Sequence, residues 1–248
     1  MKYRYPRALH LVTLVAGSAL LLTSGCAVWR IGQSAELARL SEPLQQTPVQ
    51  PALRLLIVGD STAVGTGAAS PADSLAGLIA SGHPRLLIEN RARDGAKFSD
   101  VLQQLEGESR FDLVLVQAGG NDIIRLTGMD RLRVDVEAVA RRAAQRSDRV
   151  VLMPAGNVGN APFFFAPLSW VMTHRARAMH RFVKAAASQT GATYVNLFHE
   201  RDDDPFVKEP GLNARDGLHP SNAGYRVWFR ELMTQTGWAG ALAPAAKI

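Results

Sequence analysis

Five short apolar stretches, separated by stretches with helical spacing, constrain the fold of this 248-residue chain more than any other feature. They predict strands over residues 55–59, 85–89, 112–117, 149–153 and 193–197. Strands that alternate with helices pair in parallel, because the crossover helices have to cover the faces of the sheet. The sequence therefore predicts an α/β fold of three layers, α/β/α, with a five-stranded parallel sheet in the flavodoxin-like order 2-1-3-4-5.

The chain is predicted to contain one folded domain, over residues 53–240. A hydrophobic content of 47% over this length is enough for one core, and two domains would be cramped. Residues 27–52 include Gln45, Gln46, Pro48 and Pro51 and show little apolar periodicity, which is typical of a tether. The N-terminal segment, residues 1–26, is a predicted export signal.

The export signal is predicted from a basic start, an apolar run over 9–22 and the small residues before Cys26, the only cysteine. Residues 22–26 resemble a bacterial lipoprotein signal, which implies that Cys26 is lipidated. Residues 8–29 carry no formal charge and are long enough to span a bilayer, so an uncleaved anchor is an alternative, as is secretion. In each case we expect the domain in the cell envelope, on the periplasmic or extracellular side.

The charge balance argues against nucleic acid as a partner. The formal net charge is +6, but without Lys2, Arg4 and Arg7 of the export signal 25 basic residues face 22 acidic ones. No basic stripe with interleaved aromatic residues accompanies this small excess.

The first strand ends in Gly-Asp-Ser, which places the Ser61 hydroxyl at the carboxyl end of a parallel strand, where open α/β sheets bind ligands. A serine needs a base to remove its proton, and the base needs a third group to orient it. Asp216 and His219 offer both in one turn. The side-chain amide of Asn121, with the backbone N–H groups of Ser61 and Gly95, could stabilise an oxyanion. These residues predict an acyl-transfer site.

Four motifs together resemble the SGNH, or GDSL-type, serine hydrolases over about residues 53–235. They are Gly59-Asp60-Ser61, Gly95 after a polar loop, Gly119-Gly120-Asn121-Asp122 and Asp216-Gly217-Leu218-His219. The resemblance implies Ser61 as nucleophile, His219 as base and Asp216 as its orienter. It further implies an oxyanion hole formed by Ser61, Gly95 and Asn121, and neither metal nor cofactor. The substrate is then a small ester, a lipid ester or an acetylated glycan.

Several alternatives stay open from the residues alone. The same fold could serve a non-catalytic envelope lipoprotein as a glycan- or lipid-binding module. The aromatic residues Phe163, Phe164, Phe165 and Trp170 either line a substrate pocket or cap the sheet. A metal-dependent phosphoesterase is disfavoured, because the first strand lacks an Asp-x-His ligand pair.

Overall fold

The computed structural model describes residues 29–238 and residue 242. The predicted export signal with Cys26 lies outside the described residues, as do residues 239 and 240 of the predicted domain. Among the described helices, none combines the length and the hydropathy that a membrane span requires.

Five parallel strands form one sheet in the order β2-β1-β3-β4-β5, which confirms the predicted three-layer α/β fold. They are β1 (Leu53–Gly59), β2 (Leu86–Asn90), β3 (Leu113–Gln117), β4 (Val150–Leu152) and β5 (Thr193–Tyr194). The last strand is shorter than predicted. The chain leaves the sheet after Tyr194, although Val195 still donates to the Leu152 carbonyl.

Nine helical segments have at least four described residues each, in addition to short 3₁₀ turns. They are α1 (residues 29–40), α2 (Ser61–Val64), α3 (Leu75–Gly82), α4 (Phe98–Gln104), α5 (Gly120–Ile124), α6 (Met129–Arg146), α7 (Leu168–Thr190), α8 (Pro205–Lys208) and α9 (Asn222–Thr236). The stretch that follows Ser70 does not enter α3 directly. Pro71–Asp73 is a 3₁₀ turn, and α3 starts behind Ser74, whose hydroxyl accepts from the Gly77 N–H at 3.1 Å.

Two apolar cores lie on opposite faces of the sheet. Leu56 and Val58 of β1 point into a core with α4, α6 and α7. The alternate residues Leu55 and Ile57 point into a second core with α2, α3 and α9. Because successive strand residues face opposite sides, a strand covered on both faces has to be apolar where it is buried, as β1 is over residues 55–58.

The prediction of a tether over 27–52 is wrong for much of its described part. Residues 29–40 are helical, and Gln46 pairs with Ile88 of β2 through two backbone hydrogen bonds of 3.1 and 2.9 Å. Gln45 also bonds the backbone of Asn90 with its side-chain amide. β2 is an edge strand, so this segment pairs backbone groups that would otherwise be open to a second chain. Backbone pairing of this kind leaves no mark on the periodicity of the side chains, so the sequence pattern does not predict it.

Candidate active site

The turn from β1 into α2 places Ser61 at the carboxyl edge of the sheet. Asp60 precedes the helix as its N-cap and accepts hydrogen bonds from the N–H and the hydroxyl of Thr62 at 3.0 and 2.7 Å. The same carboxylate accepts from the Gly120 N–H at 3.3 Å, which ties the turn to α5. Ser61 is therefore the first residue of α2, with its hydroxyl held at the end of a buried strand.

Ser61, His219 and Asp216 form a continuous hydrogen-bonded relay. The Ser61 hydroxyl lies 2.9 Å from His219 Nε2, and His219 Nδ1 lies 2.6 Å from Asp216 Oδ2. Asp216 is fully buried, and 6% of His219 is exposed. The structure thus brings together three residues that lie up to 158 positions apart in the sequence.

The environment of Asp216 favours its ionised form. Burial opposes ionisation, but the hydrogen bond from the His219 ring and the backbone N–H groups of Leu218 and His219 outweigh it. The pKa of Asp216 consequently lies below its usual value. A charged Asp216 fixes Nδ1 of His219 as the protonated nitrogen, which leaves Nε2 free to accept the Ser61 proton.

The three predicted oxyanion donors share one cavity with this relay. The cavity has a volume of about 430 Å³, and Ser61, Gly95, Asn121 and His219 all line it. Within the described residues, the N–H groups of Ser61 and Gly95 and the Asn121 side-chain amide have no hydrogen-bond acceptor. Free donors at a nucleophile can bind an oxygen that becomes negatively charged during reaction.

Asp60 and Asp122, the two acids beside predicted site residues, hold loops. Asp122 accepts from the Phe98 N–H at 2.9 Å and thereby connects α5 to α4. Burial raises the pKa of both carboxyl groups, although hydrogen bonds to each partly oppose it. Neither carboxylate makes a hydrogen bond to the His219 ring, so Asp216 alone orients it within the described structure.

Of the four aromatic residues after β4, one lines the cavity, one packs against the core and two serve neither predicted use. Phe163 lines the cavity, and Phe164 packs against the core with its ring 4.9 Å from that of Phe163. Phe165 and Trp170 are exposed. The loop is tied to the turn between Asp216 and His219, because the Phe163 N–H donates to the Gly217 carbonyl at 2.9 Å.

The acidic run 202–204 contributes a structural residue. Asp204 is buried, caps α8 through the Phe206 N–H at 2.9 Å and accepts from the Asn160 amide at 2.8 Å. Over residues 29–238, no group of three or more His, Cys, Asp or Glu side chains is arranged to hold a metal ion.

Sequence reasoning missed several residues that shape the site. Gln104 of α4 clamps the end of β1, since it accepts from the Gly59 N–H at 2.7 Å and donates to the Gly59 carbonyl at 2.9 Å. Arg125 places a guanidinium nitrogen over Gly95, 2.9 Å from where a Cβ would lie. Four residues of α1 line the cavity: Ile31, Ser34, Ala35 and Ala38. Their spacing is helical, but Ser and Ala give it too little apolar contrast to predict a helix from the sequence.

Solved structures with the same fold extend over most of the chain. A lipase/acylhydrolase from Enterococcus faecalis superposes with a TM-score of 0.60 at 20% identity, over 79% of this chain and 100% of that one. A variant of an acetyl xylan esterase from Geobacillus stearothermophilus gives a TM-score of 0.56 at 21% identity, over 76% and 96%. At these identities the likeness establishes the fold.

Sequence comparison identifies the family. A GDSL-like esterase of Mycobacterium tuberculosis is 27% identical over 184 residues, or 71% of this chain and 59% of that protein. The chain thus matches about three fifths of the length of this relative. Residues 57–227 match the GDSL-like lipase/acylhydrolase family, and this range contains every predicted catalytic and oxyanion residue. Because the match spans more than half of the sequence, the chain belongs to the GDSL-like lipase/acylhydrolase family.

Proposed function

We propose that this protein is a carboxylic ester hydrolase that acts through Ser61, His219 and Asp216. The observation that carries the proposal is the hydrogen-bonded relay of 2.9 and 2.6 Å at the wall of a partly apolar cavity. Membership of a family of lipases and acylhydrolases supports the same reaction class.

In the first half of the proposed reaction, Ser61 Oγ attacks the ester carbonyl carbon while His219 Nε2 takes the hydroxyl proton. The carbonyl oxygen becomes negatively charged and accepts hydrogen bonds from the Ser61 and Gly95 N–H groups and the Asn121 amide. Asp216 stabilises the resulting imidazolium. When the carbon–oxygen bond to the alcohol breaks, Nε2 returns its proton to the departing alkoxide, which leaves an acyl-serine.

In the second half, water replaces the alcohol. His219 Nε2 accepts a proton from water as the water oxygen attacks the acyl carbon, and the same three donors stabilise the oxyanion again. Cleavage of the bond to Ser61 Oγ, with return of the proton to that oxygen, releases the carboxylic acid and regenerates the serine.

The substrate class follows from the proposed location and the cavity. We infer an ester of a lipid or an acetylated glycan in the cell envelope, with attachment through lipidated Cys26 as the proposed anchor. The likeness to an acetyl xylan esterase is compatible with an acetylated glycan, and the apolar lining of the cavity with a lipid ester. A non-catalytic binding module is the competing function.

Two substitutions test the mechanism on nitrophenyl esters. We expect Ser61→Ala to lower kcat by about 10⁴- to 10⁶-fold, because no other side chain supplies the nucleophile. We expect Asn121→Ala to lower it by about 10²- to 10³-fold, because it removes one oxyanion donor while the nucleophile stays. Steady-state kinetics on the purified proteins provides both values.

Labelling with a fluorophosphonate supplies the control. The wild type and Asn121→Ala should be labelled at Ser61, and Ser61→Ala should not be labelled. Full activity of Ser61→Ala would contradict the proposed mechanism. A folded wild type that neither hydrolyses any ester nor reacts with the probe would favour the binding module.

A further inference from the structure

Helix α1 supplies one wall of the cavity that contains Ser61. Its cavity-lining residues are Ile31, Ser34, Ala35 and Ala38. These positions follow the spacing i, i+3, i+4 and i+7, so they form a single stripe along one face of a helix. The helix lies outside residues 57–227, which match the family, and it therefore adds a wall to the cavity from a separate part of the chain.

The composition of this stripe suits an apolar ligand. Ser34, Ala35 and Ala38 are small and leave space in the cavity, while Ile31 provides an apolar side chain that is 57% exposed. The volume of about 430 Å³ falls within the range of about 300–1,000 Å³ typical of small-molecule pockets. Phe163, Leu197 and Trp228 extend the apolar lining across the cavity. A bound apolar chain would cover the exposed Ile31.

The contacts of α1 hold it at the cavity rather than in a core. None of residues 29–40 is buried. Arg30 donates to the Pro162 carbonyl, and its guanidinium lies 4.9 Å from the centre of the Phe165 ring. Glu36 forms an ion pair of 3.0 Å with Arg215, just before Asp216. The contacts of Arg30 join α1 to the aromatic loop, and the ion pair of Glu36 joins it to the turn that carries Asp216 and His219.

We propose that α1 is a specificity-determining wall that selects esters carrying an apolar chain, which lies against Ile31, Ala35 and Ala38. This inference rests on the proposed ester hydrolysis for the chemistry and on the shared cavity for the location. The apolar chain belongs either to the acyl group or to the alcohol of the ester.

Two variants change the wall in different ways. Ala38→Trp fills the cavity, and Ile31→Ser removes apolar surface without adding volume. We expect each to lower the ratio of kcat/KM for an octanoyl ester to that for an acetyl ester, Ala38→Trp by at least about tenfold. The matched control is Leu40→Trp, on the opposite face of α1 and 67% exposed, which should leave the ratio within about twofold.

Two substrate series distinguish the parts of the ester. Nitrophenyl esters from acetate to octanoate vary the acyl chain, and acetates from methyl to octyl vary the alcohol. The series whose length dependence responds to Ala38→Trp and Ile31→Ser identifies the part that contacts α1. If the wild type hydrolyses both series and neither length dependence changes in the variants, the inference is wrong.

Binding of decanoate to Ser61→Ala, measured by calorimetry, gives a readout that needs no turnover. We expect Ala38→Trp in the same background to lower the affinity, and Leu40→Trp to leave it unchanged. If the wild type hydrolyses no ester while decanoate binding still depends on Ala38, the proposed ester hydrolysis is wrong. The inference that α1 contacts an apolar ligand is then still supported. If decanoate does not bind, or binds with equal affinity to all variants, the proposed role of α1 is wrong.

Discussion

At the scale of single residues, Asp216 determines which nitrogen of His219 carries a proton. One carboxylate oxygen accepts from the backbone N–H groups of Leu218 and His219, and the other accepts from His219 Nδ1 at 2.6 Å. Because the backbone bonds fix the carboxylate, the ring can turn little without losing its partner. The hydroxyl of Ser61 then meets an unprotonated Nε2.

We expect Asp216→Asn to lower kcat for a nitrophenyl acetate by about 10³- to 10⁴-fold. The asparagine can keep its oxygen on the backbone N–H groups, so that its NH₂ faces His219 Nδ1. That nitrogen then has to accept, which places the ring proton on Nε2 and prevents it from taking the Ser61 proton. KM should change little, and steady-state kinetics separates the two parameters.

Asp94→Asn is the matched control for Asp216→Asn. Asp94 also lines the cavity, but its carboxylate accepts from the Thr66 hydroxyl at 2.6 Å and makes no hydrogen bond to His219. We expect less than about a tenfold change in kcat for this variant, because only a long-range charge is lost. Similar kcat losses in the two variants would mean that charge, rather than orientation, is the contribution of Asp216.

At the scale of elements, the junction of β1 with α2 depends on Gly59, which lies two residues before the nucleophile Ser61. Gly59 has φ +152°, and a Cβ at this position would lie 1.8 Å from the Gln117 carbonyl oxygen of β3. We expect Gly59→Ala to lower the free energy of unfolding by at least about 3 kcal/mol, from backbone strain and overlap with the neighbouring strand. Denaturant unfolding of the wild type and of Gly59→Ala measures the difference in free energy of unfolding.

Gly191→Ala separates the two contributions to this loss. Gly191 ends α7 with φ +73°, and no atom lies within 4 Å of the position that its Cβ would take. The substitution therefore tests backbone strain alone, and we expect a loss of about 1 kcal/mol. A loss at Gly191 as large as that at Gly59 would show that contact with β3 is unimportant.

The same scale explains why the prediction of a tether over 27–52 missed α1 and the pairing of Gln46 with β2. Helices of the domain have apolar stripes that the core covers, and the sequence pattern finds them. The stripe on α1 is mostly Ser and Ala and faces a cavity, so it lacks the contrast that predicts a packed helix. The pairing of Gln46 with β2 uses backbone groups, which every residue except proline carries.

At the scale of the whole molecule, His180 connects three parts of the fold. It is buried on α7, where Nε2 lies 2.8 Å from the Ala155 carbonyl after β4 and Nδ1 lies 2.6 Å from the Tyr194 hydroxyl of β5. Burial lowers the pKa of His180 from 6.5 to about 4. The folded protein therefore keeps a neutral imidazole where the unfolded chain binds a proton.

We expect His180 to destabilise the fold as the pH falls from 6.5 towards 4. In this window the unfolded state binds the extra proton, so acid favours unfolding, with a contribution of about 3 kcal/mol over the full range. Raised pKa values of Asp60 and Asp122 act in the opposite direction, because the folded protein binds their protons more readily. Their effect has to be removed by comparison.

The comparison is between the wild type and His180→Gln, whose free energies of unfolding are measured from pH 7 to pH 4. The difference in free energy of unfolding between the two proteins should shrink as the pH falls. Only the wild type is destabilised by acid through a buried imidazole that stays neutral. Parallel pH profiles for both proteins would contradict a neutral His180. The carboxyl groups contribute equally to both profiles and cancel.

The sheet and its strand order could be predicted from the sequence, because strand length, apolar content and alternation with helices leave few topologies for a parallel sheet. The sequence also indicated Ser61, Gly95, Asn121, Asp216 and His219, since parallel strands bring their carboxyl ends to one edge. The three-dimensional structure was needed to place Ser61, Gly95, Asn121 and His219 at one cavity, with Asp216 buried behind His219, and to show that α1 forms one wall of that cavity. Those contacts depend on distances between segments far apart in the chain, which local residue patterns do not encode.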